Sequence, residues 1–86
     1  MIYKLLLKRE AAKYLASLDK PTRDRIKKAL EGLTRIPPEG DIRPMKGMKG
    51  WFRLRVGSYR VVFQINEDEH TIYVAIIGPR GDAYKR

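Results

Sequence analysis

Two alternating runs joined by a single Gly-Ser pair constrain this chain more than any other feature. Trp51–Val56 sets Phe52, Leu54 and Val56 on one side and Trp51, Arg53 and Arg55 on the other. Tyr59–Ile65 likewise sets Tyr59, Val61, Phe63 and Ile65 against Arg60, Val62 and Gln64. A period of two marks a half-buried strand, and Gly57-Ser58 suits a two-residue primed hairpin turn. So short a turn fixes the register. Val56 then faces Tyr59, Arg55 faces Arg60, Leu54 faces Val61, Arg53 faces Val62, and Phe52 faces Phe63. Opposed residues share a face, so the apolar set gathers on one side and Arg53, Arg55 and Arg60 on the other.

The rest of the chain is built around that hairpin. Asn66-Glu67-Asp68-Glu69 reads as a polar turn and His70–Ile77 as a further strand. A symmetric turn pairs Ile65 with His70, Val61 with Val74, Arg60 with Ala75 and Tyr59 with Ile76. Ile72, Val74 and Ile76 then join the core face, and Gly78-Pro79 comes level with Gly57-Ser58. The tail from Arg80 starts beside Arg55 and Arg60. Upstream, Ile2–Leu7 reads as a short first strand. Glu10–Leu18 carries Ala11, Tyr14, Leu15 and Leu18 on one helical stripe, and Asp19-Lys20-Pro21 breaks it. Pro21 suits the first turn of a second helix, whose apolar face is Ile26, Ala29, Leu30 and Leu33 and which Pro37-Pro38 ends. A short extra strand near Asp41–Met45 is compatible with the sequence. The expected fold is α+β, one domain over residues 1–86. Two helices, after a first short strand, pack on one face of an antiparallel sheet of about four strands. The arginine-rich face lies opposite.

Composition narrows the function. At 86 residues there is room for one modest core and none for an enclosed cofactor cavity, so no cofactor is expected. The absence of cysteine removes disulfides, thiolate catalysis and Cys-type metal sites, and fits a reducing cytoplasm. The one histidine, His70, rules out His-pair metal binding. No metal is expected. By register His70 lies roughly 17 Å along the sheet from Arg60, beside an acidic turn, and reads as a surface residue. No apolar run reaches the roughly 20 residues of a membrane span, and the N-terminus lacks a signal-peptide pattern. A net charge of +9 points to a polyanion, nucleic acid first.

That charge is concentrated. From Ile42 to Asn66 there are six basic residues and no acidic one. Arg55 opposite Arg60 is a like-charge cross-strand pair, unfavourable for a fold chosen only for stability, and nothing acidic nearby in sequence neutralises it. Arginine suits a phosphate site because its guanidinium fork binds phosphate bidentately and keeps its charge. Trp51, Tyr73 and Tyr84 offer surface for base stacking; burial at the sheet end explains Trp51 and Tyr73 equally well. Lys46 and Lys49 are loop charges that serve RNA steering or plain solubility.

Lys49-Gly50-Trp51-Phe52-Arg53-Leu54-Arg55-Val56-Gly57-Ser58-Tyr59-Arg60-Val61-Val62-Phe63-Gln64-Ile65, followed by Val74-Ala75-Ile76-Ile77-Gly78-Pro79-Arg80-Gly81-Asp82-Ala83-Tyr84, resembles the RelE/ParE superfamily of prokaryotic toxins. The order strand, helix, helix, sheet matches across essentially the whole chain. The resemblance implies a toxin of a toxin–antitoxin pair. In the RelE branch it implies a cytoplasmic mRNA interferase that enters the ribosomal A site, against 16S rRNA, and cleaves mRNA there. It also implies a cognate antitoxin that wraps the toxin. The RelE-type functional positions correspond to Arg53, Arg55, Arg60, Arg80 and Tyr84. In the best-known RelE pattern the first two are lysines; here they are arginines, which are poor general bases. The alternatives are a ParE-like poison of DNA gyrase and a non-catalytic nucleic-acid-binding or attenuated toxin acting with its antitoxin as a repressor.

Metal-independent RNA cleavage uses the 2′-hydroxyl as nucleophile on the adjacent phosphate. It needs a proton acceptor, stabilisation of the charged transition state, and protonation of the 5′-oxygen. Arg53, Arg55, Arg60 and Arg80 supply the second, with Arg80 nearest the leaving group. Tyr84 orients or deprotonates the nucleophile, or stacks on a base. The lack of a strong acid–base pair implies weak activity on free RNA, with the ribosome positioning the substrate.

Overall fold

The hairpin forms in the expected register. In a computed structural model describing residues 2–35 and 37–79, β3 (Trp51–Val56) and β4 (Tyr59–Asn66) pair with Val56 opposite Tyr59, Arg55 opposite Arg60 and Phe52 opposite Phe63. Gly57 takes a φ of 59° while Ser58 stays at negative φ, the pattern of a type II′ turn. On one face Leu54, Val61 and Phe63 are fully buried, and Phe52 stacks on Phe63 with ring centroids 5.8 Å apart.

Helices α1 (Arg9–Ala16) and α2 (Lys20–Leu33) cover that face. Ala11 and Leu15 of α1, with Ile26, Leu30 and Leu33 of α2, are buried against Leu54, Val61, Phe63, Ile72 and Val74. Pro21 lies in the first turn of α2, where a missing N–H costs nothing. The Tyr3 amide donates to the Thr34 carbonyl at 2.7 Å, tying the chain start to the end of α2. Among the described residues no helix is long and apolar enough to cross a membrane.

The sheet has five strands in the order β1-β5-β4-β3-β2, and it differs from the expectation in three ways. First, β1 (Lys4–Leu7) pairs with β5 (Thr71–Pro79) in parallel, so the sheet is mixed. A leucine run carries no directional information; the path through two helices back across the sheet sets the direction. Second, β2 (Asp41–Pro44) forms and pairs antiparallel with β3 as an edge strand. Pro44, its last residue, has no N–H to offer a ladder and is tolerated at an edge.

Third, the β4–β5 register departs from the symmetric reading. Glu67–His70 forms the loop, Asn66 pairs with Thr71 and Phe63 with Val74, and then the register shifts so that Val62 pairs with Ile76 and Tyr59 with Pro79. Ala75 is the extra residue of a β-bulge. Past the bulge the faces exchange: Ile77 enters the core at 5% exposure and Ile76, expected inside, turns outward at 38%. His70, expected to open the strand, instead closes the loop at a φ of 50°. It is exposed, and its ring meets Tyr3 edge-on at 5.1 Å.

Candidate functional site

The sheet face away from the helices carries the arginines in two rows. One row runs Asp41, Arg55, Arg60, Gly78 across β2, β3, β4 and β5; the next runs Arg43, Arg53, Val62, Ile76. Each side chain is there because its strand alternates, and the two-residue turn holds β3 and β4 in step. A cleft of about 100 Å³ opens among Asp41, Arg43, Arg53, Leu54, Arg55 and Arg60. That volume is below the roughly 300 Å³ of ordinary small-molecule pockets. It suits one anionic group on a longer polymer.

Among the described residues, four guanidiniums against one carboxylate make the cleft strongly cationic. Arg55 faces Arg60 and Arg43 faces Arg53, two like-charge cross-strand pairs. Nothing acidic lies close to Arg55 or Arg60 in sequence, but the fold brings one carboxylate to Arg55 from β2. The Asp41 carboxylate, one residue outside the acid-free stretch, accepts a hydrogen bond from Arg55 Nε at 3.0 Å, and its other oxygen lies 3.9 Å from Arg43 Nε. Each of these contacts engages an Nε and not a terminal amino group. The Asp41 and Arg55 side chains are 44% and 43% exposed, so both reach solvent. Arg53 and Arg60 are half-buried.

Arg53, Arg55 and Arg60 thus come together as read from the sequence. Trp51 shares their face in the next row, opposite Gln64, which pairs in turn with Tyr73; both aromatics are half-buried. Lys46 and Lys49 do not line the cleft. They are exposed on the β2–β3 connection, where Met48 N donates to the Met45 carbonyl and Trp51 N to the Met48 carbonyl. Lys49 borders a separate depression with Phe52, Gln64 and Asn66. Arg80 and Tyr84 lie outside the described residues. Sequence reasoning missed Asp41 and Arg43 as site residues. The signal was the short alternation Asp41-Ile42-Arg43, in which Ile42 is half-buried on the core side.

The family described as ParE toxin of type II toxin-antitoxin system, parDE, matches residues 5–84. No curated protein sequence gives a significant match. Among solved structures, the archaeal RelE–RelB complex from Pyrococcus horikoshii is similar at 27% identity and a TM-score of 0.80, over 96% of this chain and 100% of that one. The isolated E. coli RelE toxin aligns at 21% identity and a TM-score of 0.80, over 95% and 88% of the two chains. The RelBE toxin–antitoxin complex from Mycobacterium tuberculosis aligns at 22% identity and a TM-score of 0.79, over 93% and 100%.

Proposed function

This chain belongs to the ParE toxin family of type II toxin–antitoxin systems, within the RelE/ParE superfamily, and we propose that it acts as a RelE-type mRNA interferase. It is a toxin of a toxin–antitoxin pair. In this reading it works in the cytoplasm, enters the ribosomal A site against 16S rRNA, cuts the mRNA there and stops translation. A cognate antitoxin holds it inactive, as RelB accompanies RelE in the solved complexes.

The observation that carries the reading is the cleft itself: Arg43, Arg53, Arg55 and Arg60 converge on a space sized for one anionic group. Guanidinium forks placed before reaction stabilise the charge that grows on a pentavalent phosphorane, and losing one such donor typically costs about 10²–10³ in rate. Arg53, Arg55 and Arg60 hold the scissile phosphate, and Arg80 adds a fourth donor near the 5′-oxygen. Tyr84 orients the attacking nucleotide. Trp51 stacks on a base, and Lys46 and Lys49 steer the RNA toward the cleft. Guanidiniums move protons poorly, so the ribosome supplies much of the catalysis by positioning.

A second reading is a gyrase poison, favoured by the name of the matched family. Induction in cells separates the two: mRNA cut in the A site supports the interferase, and accumulated gyrase–DNA adducts support the poison. Arg60→Ala, Arg80→Ala and Tyr84→Phe should each slow cleavage on programmed ribosomes. Unchanged cleavage by all three would sink the assignment.

A further inference from the structure

The reaction proposed above requires a proton acceptor, and among the described residues that line the cleft one group can serve. Resting on that reading, the geometry points to Asp41 as the general base that takes the proton from the attacking 2′-hydroxyl. Of the six residues lining the cleft, Leu54 has no titratable group and four are arginines that stay protonated throughout the working range. Asp41 is the sixth.

Its placement suits the role. One carboxylate oxygen is anchored by Arg55 Nε at 3.0 Å, which fixes the group. The other is 3.9 Å from Arg43 Nε, outside hydrogen-bond distance, so it can accept from a substrate hydroxyl. The side chain is 44% exposed and open to an incoming strand of RNA. Asp41, Arg55 and Arg60 occupy one row on three adjacent strands. A phosphate shared by Arg55 and Arg60 therefore lies about one and a half strand spacings, roughly 7 Å, from the Asp41 backbone line. That separation accommodates an attacking 2′-oxygen about 3–3.5 Å from phosphorus and within about 3 Å of the base.

The electrostatics support the same role. A carboxylate among phosphate-binding arginines repels RNA, so a surface built only to bind would be better without it. In the reaction the proton passes from the 2′-hydroxyl to Asp41, the 2′-oxygen bonds to phosphorus, and the bond from phosphorus to the 5′-oxygen breaks. The products are a 2′,3′-cyclic phosphate and a 5′-hydroxyl. The 5′-oxygen takes its proton from solvent, to which the Asp41 carboxylic acid returns its own, so protons balance.

Asp41→Asn tests this, because the amide oxygen can still accept from Arg55 Nε while the proton acceptor is gone. Asp41→Ala removes both. In single-turnover cleavage of mRNA on programmed ribosomes, both variants should fall on the order of 100-fold or more, with ribosome affinity undiminished and the melting temperature of Asp41→Asn close to that of wild type. A rate for Asp41→Asn within about threefold of wild type, with Asp41→Ala slow, reduces Asp41 to an anchor for Arg55 and overturns the inference. Wild type and Arg60→Ala run in the same assay. If wild type cuts, Arg60→Ala does not and Asp41→Asn cuts normally, only the role of Asp41 falls. If wild type does not cut, the interferase reading falls and this inference with it.

Discussion

For the proposed RNA site, the charge inventory of the cleft predicts how salt should weaken binding, with opposite changes for two neighbouring residues. Among the described residues, the cleft's four guanidiniums and the Asp41 carboxylate sum to three positive charges. For single-stranded nucleic acid, log affinity falls against log salt with a slope of about −0.7 per phosphate neutralised, so the cleft contributes a slope of about −2. Between 50 and 200 mM salt that is a loss of roughly 18-fold. Arg43→Ala removes one positive charge and should flatten the slope to about −1.4, a loss of roughly 7-fold over the same range. Asp41→Asn removes the one negative charge and should steepen it to about −2.8, a loss of roughly 50-fold. Fluorescence anisotropy with a labelled single-stranded RNA, titrated across that salt range, measures all three. Lys13→Ala, on the exposed side of α1, is the control for charge outside the cleft. A slope unchanged by Arg43→Ala, or shifted as much by Lys13→Ala, would refute the claim that the cleft is where phosphate binds.

Two further results follow from the fold and the loop. Ile77→Asn buries an amide where a core methyl group sat and should cost at least about 3 kcal/mol in urea unfolding, while Ile76→Asn, one residue away, should cost under about 1 kcal/mol; the reverse order would mean the bulge at Ala75 is misplaced. Lys46→Ala with Lys49→Ala should slow association of RNA at low salt and leave single-turnover cleavage at saturation within about twofold; a loss of cleavage at saturation would put those lysines at the phosphate.

What could be read from the sequence, and what could not, follows from loop length. Gly57-Ser58 leaves no freedom, so every β3–β4 pair, and with it the convergence of Arg53, Arg55 and Arg60, was fixed by counting. The connection after Asn66 has four residues, and with His70 at positive φ it closes one position later than expected, which moves the β5 partner of Ile65 by two residues, from His70 to Ile72. Alternation also fails as a guide across Ala75, because a bulge inverts the face of everything beyond it. Hence Ile72 and Val74 were placed in the core correctly while Ile76 and Ile77 exchanged. β2 was legible only as a possibility. Four residues ending in proline carry little strand signal, and a six-residue connection to Trp51 sets no register. Because Asp41 and Arg43 ride on that strand, they were missed as members of the site.

This division has a chemical consequence. The hairpin alone brings three guanidiniums to one face, and β2 then adds one cation and one anion, leaving the net charge of the cleft unchanged. A polyanion site could therefore be inferred without β2, since charge is what the hairpin supplies. What β2 brings is arrangement: a carboxylate that holds Arg55 by its Nε, a fourth guanidinium beside Arg53, and, among the described residues, the cleft's one proton-accepting side chain. Binding and chemistry accordingly rest on elements of different strength. The cations proposed to hold phosphate stand on a hairpin anchored by Leu54, Val61 and Phe63. The group that would move a proton stands on a four-residue edge strand with a single neighbour. Edge strands with few buried contacts open before cores do. Loosening of β2 should therefore abolish cleavage while RNA affinity persists, because the charge that β2 carries away sums to zero.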